Sequence, residues 1–124
     1  MAPPLRLLVC GSREWTDIEP IRRAMDQAIV DHGPMEVLIH GTCRGPDTIA
    51  GDIAQSWGVH VEAYPALWNT YGKRAGYLRN AQMLKEGKPT LVLAFPVPGS
   101  RGTHMMIGLT HAAGIPIIVR DNRP

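Results

Sequence analysis

The sequence predicts an α/β protein: one Rossmann-like, three-layer α/β/α domain over residues 1–124, with a parallel five-stranded sheet in the order 3-2-1-4-5. Three observations predict it. Short apolar runs alternate along the chain with stretches whose apolar residues recur at helical spacing. Glycine or proline punctuates most of the boundaries between them. The segments that follow the strands, rather than those that precede them, carry the glycines, hydroxyls and arginines. In a parallel sheet wound in both directions, ligands bind beyond the carboxyl ends of the strands, where the winding reverses.

The elements follow in order. Leu5 to Cys10 reads as a buried strand stopped by Gly11, and Asp17 to Asp31 as a helix with Ile18, Ile21, Met25, Ala28 and Ile29 on one face. Gly33-Pro34 breaks that helix before a second strand, Glu36 to His40. Asp47 stands where an N-cap belongs, ahead of a helix from Thr48 to Trp57 that Gly58 ends. Val59 to Ala63 is a short third strand. After a loop rich in aromatics, Lys73 to Glu86 places Ala75, Leu78, Ala81 and Leu84 on a helical face closed by Gly87. Thr90 to Phe95 is the fourth strand, His104 to Ala113 the last helix, and the β-branched run Ile115 to Val119 the fifth strand.

Composition bounds the function classes. At 124 residues and 44% hydrophobic, the chain suits one core. A net charge of +2 gives no support to a duplex-wrapping protein, and nucleic acid is not the expected partner. Ten of the 13 cationic residues are arginines, the side chain suited to bidentate recognition of phosphate. Cys10 and Cys43 form no disulfide scaffold, and no spacing suggests a metal site or a cofactor. With no apolar segment of membrane-spanning length and no signal peptide, the expectation is a cytoplasmic protein. Apolar helix faces on so small a domain are compatible with a homodimer.

The candidate ligand residues lie on four loops. They are Gly11, Ser12 and Arg13 after the first strand, and Gly41, Arg44, Gly45 and Asp47 after the second. Arg79 and Asn80 lie early on the helix 73–86, and Gly99, Ser100, Arg101, Gly102 and Thr103 follow the fourth strand. Anion binding is the logic of the last loop. Its glycines admit a ligand close to the backbone, and the helix behind it begins with unpaired N–H groups and a partial positive charge. Thr103 is the natural N-cap or hydroxyl donor. The spacing matches neither the Walker pattern nor the dinucleotide fingerprint. Arg13, Arg44, Arg74, Arg79 and Arg101 would converge on one edge of the sheet. Plainer readings compete: Asp47 as a helix cap, Tyr64 and Trp68 as a satellite apolar cluster, Cys10 as strand filler. Cys43 lacks a neighbouring histidine to activate it, and His104 lacks an evident catalytic partner.

Gly11-Ser12-Arg13, His40-Gly41-x-x-Arg44-Gly45-x-Asp47, Ala75-Gly76-x-x-Arg79-Asn80-x-x-Met83 and Gly99-Ser100-x-Gly102-Thr103 together resemble the YpsA-related branch of the SLOG superfamily. That resemblance implies a Rossmann-like domain that binds a nucleotide or a nucleotide-derived ligand, in some members as a sensor. The superfamily includes the lonely-guy phosphoribohydrolases, whose signature is similar at Pro98, Gly99, Gly102, Thr103 and Arg79. Ser100 replaces its second glycine and Met106 its glutamate. A thioether can neither assist an oxocarbenium-like transition state nor position water.

The expected function is therefore binding of a nucleotide or nucleotide-derived phosphate ligand. Two alternatives stand beside it. The first is nucleoside-monophosphate hydrolysis, with Glu14, Asp47 or Cys43 in place of the missing glutamate. The second is single-stranded nucleic acid binding, with Trp68 and Tyr71 as stacking platforms.

Overall fold

The computed structural model describes residues 3–121. Its strands are β1 (Leu5–Gly11), β2 (Met35–His40), β3 (His60–Ala63), β4 (Leu91–Phe95) and β5 (Ile117–Val119). The helices are α1 (Ile18–His32), α2 (Pro46–Ser56), a one-turn α3 (Trp68–Tyr71), α4 (Ala75–Gly87) and α5 (Arg101–Ala112). A 3₁₀ turn, Gly72–Arg74, joins α3 to α4.

All the strands are parallel, in the order β3-β2-β1-β4-β5. The expected fold class holds, because strand residues alternate faces and each face finds a helical layer. Leu5, Leu7, Val9, Leu91 and Leu93 join Ile21, Met25, Ala28, Ala50 and Ile53 in one apolar cluster, under α1 and α2. Leu8, Cys10, Val37, Ile39, Val92 and Ala94 join Met83 and Met106 in the other, under α4 and α5. Among the described residues, no helix is long and apolar enough to cross a membrane.

Of the boundaries that differ from the sequence reading, three have a local reason that bears on the site or the packing. α2 begins at Pro46 with Gly45 as its N-cap, so Asp47 lies inside the first turn and is not the cap. Proline at the first helical position loses no hydrogen bond there and already holds the helical φ. α5 begins at Arg101 after Ser100, so Thr103 is likewise inside the helix rather than capping it. Gly87 belongs to α4, whose left-handed cap is Lys88 at φ 49°. A Cβ at Gly87 would lie 3.2 Å from Ile39, so this glycine admits the β2 side chain.

Candidate functional site

The carboxyl ends of β1, β2 and β4 open onto a cleft of about 550 Å³. Its wall includes Gly11, Ser12, Arg13, Asp47, Arg79, Asn80, Gly99, Ser100, Gly102 and Thr103. An adjoining cavity of about 390 Å³ takes in Gly41 and Arg44, and shares Arg13, Cys43, Trp68 and Arg79 with the first. Gly45 and Arg101 line neither cavity, and neither does Arg74. The convergence of five arginines thus reduces to three, with Arg44 turned to an exposed ion pair with Glu14 at 3.4 Å.

The loop after β1 is docked onto the end of β4. Ser12 N–H donates to the Phe95 carbonyl at 3.1 Å, and Ser12 Oγ accepts from Glu14 N–H at 3.2 Å. Trp15 then seals the loop, with its ring edge-on to Phe95 at 5.3 Å and Nε1–H donating to the Asp17 carbonyl at 2.8 Å. An edge-to-face pair of this kind favours one loop geometry beyond its area of burial.

The glycines divide by what faces them. A Cβ at Gly11 would lie 2.3 Å from Pro46 Cγ and 2.8 Å from the Phe95 carbonyl oxygen. At Gly45, where φ is +90°, it would lie 2.6 Å from the Ser12 carbonyl oxygen, and at Gly41, 2.7 Å from Arg79 Nη1. These three admit protein atoms. Gly99 and Gly102 instead face open space and line the cleft, which leaves the backbone of this turn bare toward it.

The loop after β2 is held from both sides. Asp47 is buried, and its Oδ2 accepts from Gly41 N–H at 2.8 Å. Arg79 donates through Nη1 to the Gly41 carbonyl and through Nε to Asn80 Oδ1 at 2.8 Å. Cys43 Sγ lies 3.8 Å from the same Nη1. Arg79 therefore braces the β2 loop. Nη2 has no hydrogen-bond partner among the described residues and is free to meet a ligand. Thr42 adopts φ 66°, unusual for a β-branched residue, with its N–H donating to His40 Nδ1 at 2.9 Å. Burial lowers the His40 pKa, and the accepting Nδ1 requires the neutral ring to carry its proton on Nε2.

Burial pushes the Asp47 carboxyl up to about 6, against the opposing pull of the Gly41 N–H and the Arg79 charge. The folded carboxyl thus holds its proton to a higher pH than the unfolded one, whose ordinary value is 3.8. Its stabilising contribution is full below about pH 4 and is lost as the pH rises through about 6, a difference on the order of 3 kcal/mol. Asp47→Asn keeps an acceptor for Gly41 and removes the titration. Urea unfolding from pH 4 to 7 should show the variant gaining on the wild type as the pH rises. A constant difference between the two would contradict this assignment.

At the turn after β4, Ser100 Oγ donates to the Val97 carbonyl at 2.8 Å, and Ser100 N–H donates to the same carbonyl at 3.1 Å. His104 N–H is the first to donate to a carbonyl of α5's own start, Ser100 O at 3.1 Å. The N–H groups of Arg101, Gly102 and Thr103 precede that ladder and are unpaired within the helix. His104 Nδ1 also contacts the Ser100 carbonyl at 2.7 Å, on the exposed side, and does not line the cleft.

Sequence reasoning did not single out Lys73, Tyr77 or Met105, which also line the cleft. Lys73 is brought there by the 3₁₀ turn that follows α3, Tyr77 by the first turn of α4 and Met105 by α5. An aromatic-rich loop was the one signal available. Met83 and Met106 are buried beneath, each 1% exposed. Burial raises the Cys10 thiol far above its ordinary range, which leaves it unreactive. Among the described residues, no group of three or more histidines, cysteines and carboxylates is placed to hold a metal ion.

Comparison with known proteins gives three findings. The Gene 61 protein of Mycobacterium phage D29 is 36% identical over 126 residues, spanning 96% of this chain and 98% of the phage protein. No solved structure gives a significant match. The family model described as YspA, cpYpsA-related SLOG family matches residues 5–71, which run from β1 through the β2 loop to the end of α3. With that match over more than half of the chain, the protein belongs to the YspA, cpYpsA-related SLOG family.

Proposed function

We propose that this chain binds a nucleotide or nucleotide-derived phosphate ligand in the cleft, with phosphate against the first turn of α5. The observation that carries the reading is the turn at residues 97–103. Its two open glycines and Thr103 border one cavity, and the N–H groups of Gly102 and Thr103 there have no partner within the helix. Such a helix start favours an anion through both hydrogen bonds and dipole. Arg13 and Lys73 add positive charge to the same wall. Membership of the SLOG family accords with a nucleotide-related ligand. The cavity volume falls within the roughly 300–1,000 Å³ usual for small-molecule sites.

Gly102→Val tests the placement. A Cβ at Gly102 meets no protein atom within 4 Å, so the branched side chain projects into free space and the fold should persist. Isothermal titration with AMP, GMP, CMP and UMP should show at least a tenfold loss for whichever of these the wild type binds. Wild-type affinity in a folded variant would remove phosphate from this turn.

One observation favours a second reading, hydrolysis of the N-glycosidic bond of the same ligand. Asp47 is a cleft carboxylate that keeps its proton to near neutral pH, as a general acid must. Its tie to Gly41 and the buried Met106 thioether count against that role. Release of free base from the monophosphate panel, abolished by Asp47→Asn, would favour hydrolysis over binding alone.

A further inference from the structure

The cleft has a second wall whose chemistry is not that of an anion site. Trp68, Tyr77 and Met105 border it with apolar and polarizable surface, over the buried Met83 and Met106. Trp68 is 49% exposed, which leaves a large apolar side chain open to solvent at the cleft. Its indole stands against α4 at Gly76, where a Cβ would lie 3.4 Å from Cη2. A Cβ there would just touch the ring, and a side chain longer than alanine's would press on it. The same indole also lines the adjoining cavity with Thr42, Pro65 and Ala66, so it stands where the two spaces meet. The other tryptophans differ: Trp15 is sealed in the core at 3% exposure, and Trp57 lines neither cavity.

We infer that Trp68 is the nucleobase platform of this cleft: a planar heteroaromatic base stacks on its half-exposed indole while the ligand's phosphate meets the start of α5. This rests on the phosphate reading proposed above and extends it to the ligand class. The ligand is a nucleotide with its base attached, not a phosphorylated sugar. An indole face attracts any base through dispersion and offers no hydrogen-bond pattern to read, so discrimination follows ring size and favours purines. The partly exposed thioether of Met105 in the same wall suits a flat aromatic guest.

The test titrates the full chain with AMP, adenosine and ribose 5-phosphate, using wild type, Trp68→Ala and Trp68→Phe. Because the residue is half exposed, both variants should melt within a few degrees of the wild type. AMP should quench the tryptophan emission of the wild type, and Trp68→Phe should lose most of that quenching while keeping affinity within about fivefold. Trp68→Ala should weaken AMP about 5- to 150-fold, the span of base–aromatic stacking, and leave ribose 5-phosphate unchanged.

Equal affinity of the wild type for ribose 5-phosphate and AMP would overturn the inference. So would equal losses for both in Trp68→Ala, or undiminished quenching in Trp68→Phe. Adenosine binding as tightly as AMP, with sensitivity to Trp68→Ala, would sustain the platform and defeat the phosphate reading. Absence of binding by all three probes would defeat both. An oligonucleotide that binds far more tightly than AMP, with a steep salt dependence, would assign the indole to single-stranded nucleic acid and overturn the nucleotide class.

Discussion

Gly45→Ala is expected to lower the unfolding free energy by roughly 2 to 5 kcal/mol, from backbone strain and overlap together. Gly45 combines φ +90° with ψ −142°, close to a region that only glycine occupies at ease. Its missing side chain is also the space in which the Ser12 carbonyl oxygen lies, 2.6 Å from where a Cβ would stand. That oxygen already accepts from Trp15 N–H at 3.0 Å and cannot retreat without breaking the turn that seats Trp15. Gly58→Ala is the control, since Gly58 has φ +75° but nothing within 4 Å. Backbone strain alone should cost it about 1 kcal/mol. Urea unfolding followed by far-UV circular dichroism measures both. Equal losses in the two variants would mean that the β1 and β2 loops do not depend on this contact.

Arg79→Ala is expected to weaken AMP by tenfold or more, and adenosine by a smaller factor. Two effects combine. Arg79 lines the cleft, and its guanidinium can supply a charge-assisted bond to an anionic ligand, on the order of 1.5 to 3 kcal/mol. The other nitrogens hold the Gly41 carbonyl and Asn80 Oδ1, so their removal loosens the β2 loop for any ligand. Arg79→Lys should recover little, because a single ammonium cannot span those acceptors and also face the cleft. Isothermal titration with both ligands separates the effects. Losses that are equal for AMP and adenosine would reduce Arg79 to a brace for the loop.

The repeating sequence pattern was sufficient for the fold class and the strand order. Apolar periodicity, turn residues and the handedness of strand–helix–strand units are local rules, and each of the five strands obeys them. That a cleft would lie at the carboxyl edge was legible for the same reason. Ten of the fourteen candidate residues line the larger cleft, and Gly41 and Arg44 line its neighbour.

What only the tertiary structure decided is the work each residue does there. Gly11, Gly41 and Gly45 look in sequence like openings for a ligand, yet they face Pro46, Arg79 and the Ser12 carbonyl, all distant along the chain. Asp47 has the residue type and position of an N-cap. Pro46 begins the helix one residue earlier and turns that carboxylate onto the Gly41 N–H. The aromatic loop gives no periodicity by which to place Trp68, and a one-turn helix sets it over Gly76. Periodicity reports which face of an element is buried. Which atoms arrive from another segment depends on loop closure and packing, and no local pattern encodes that.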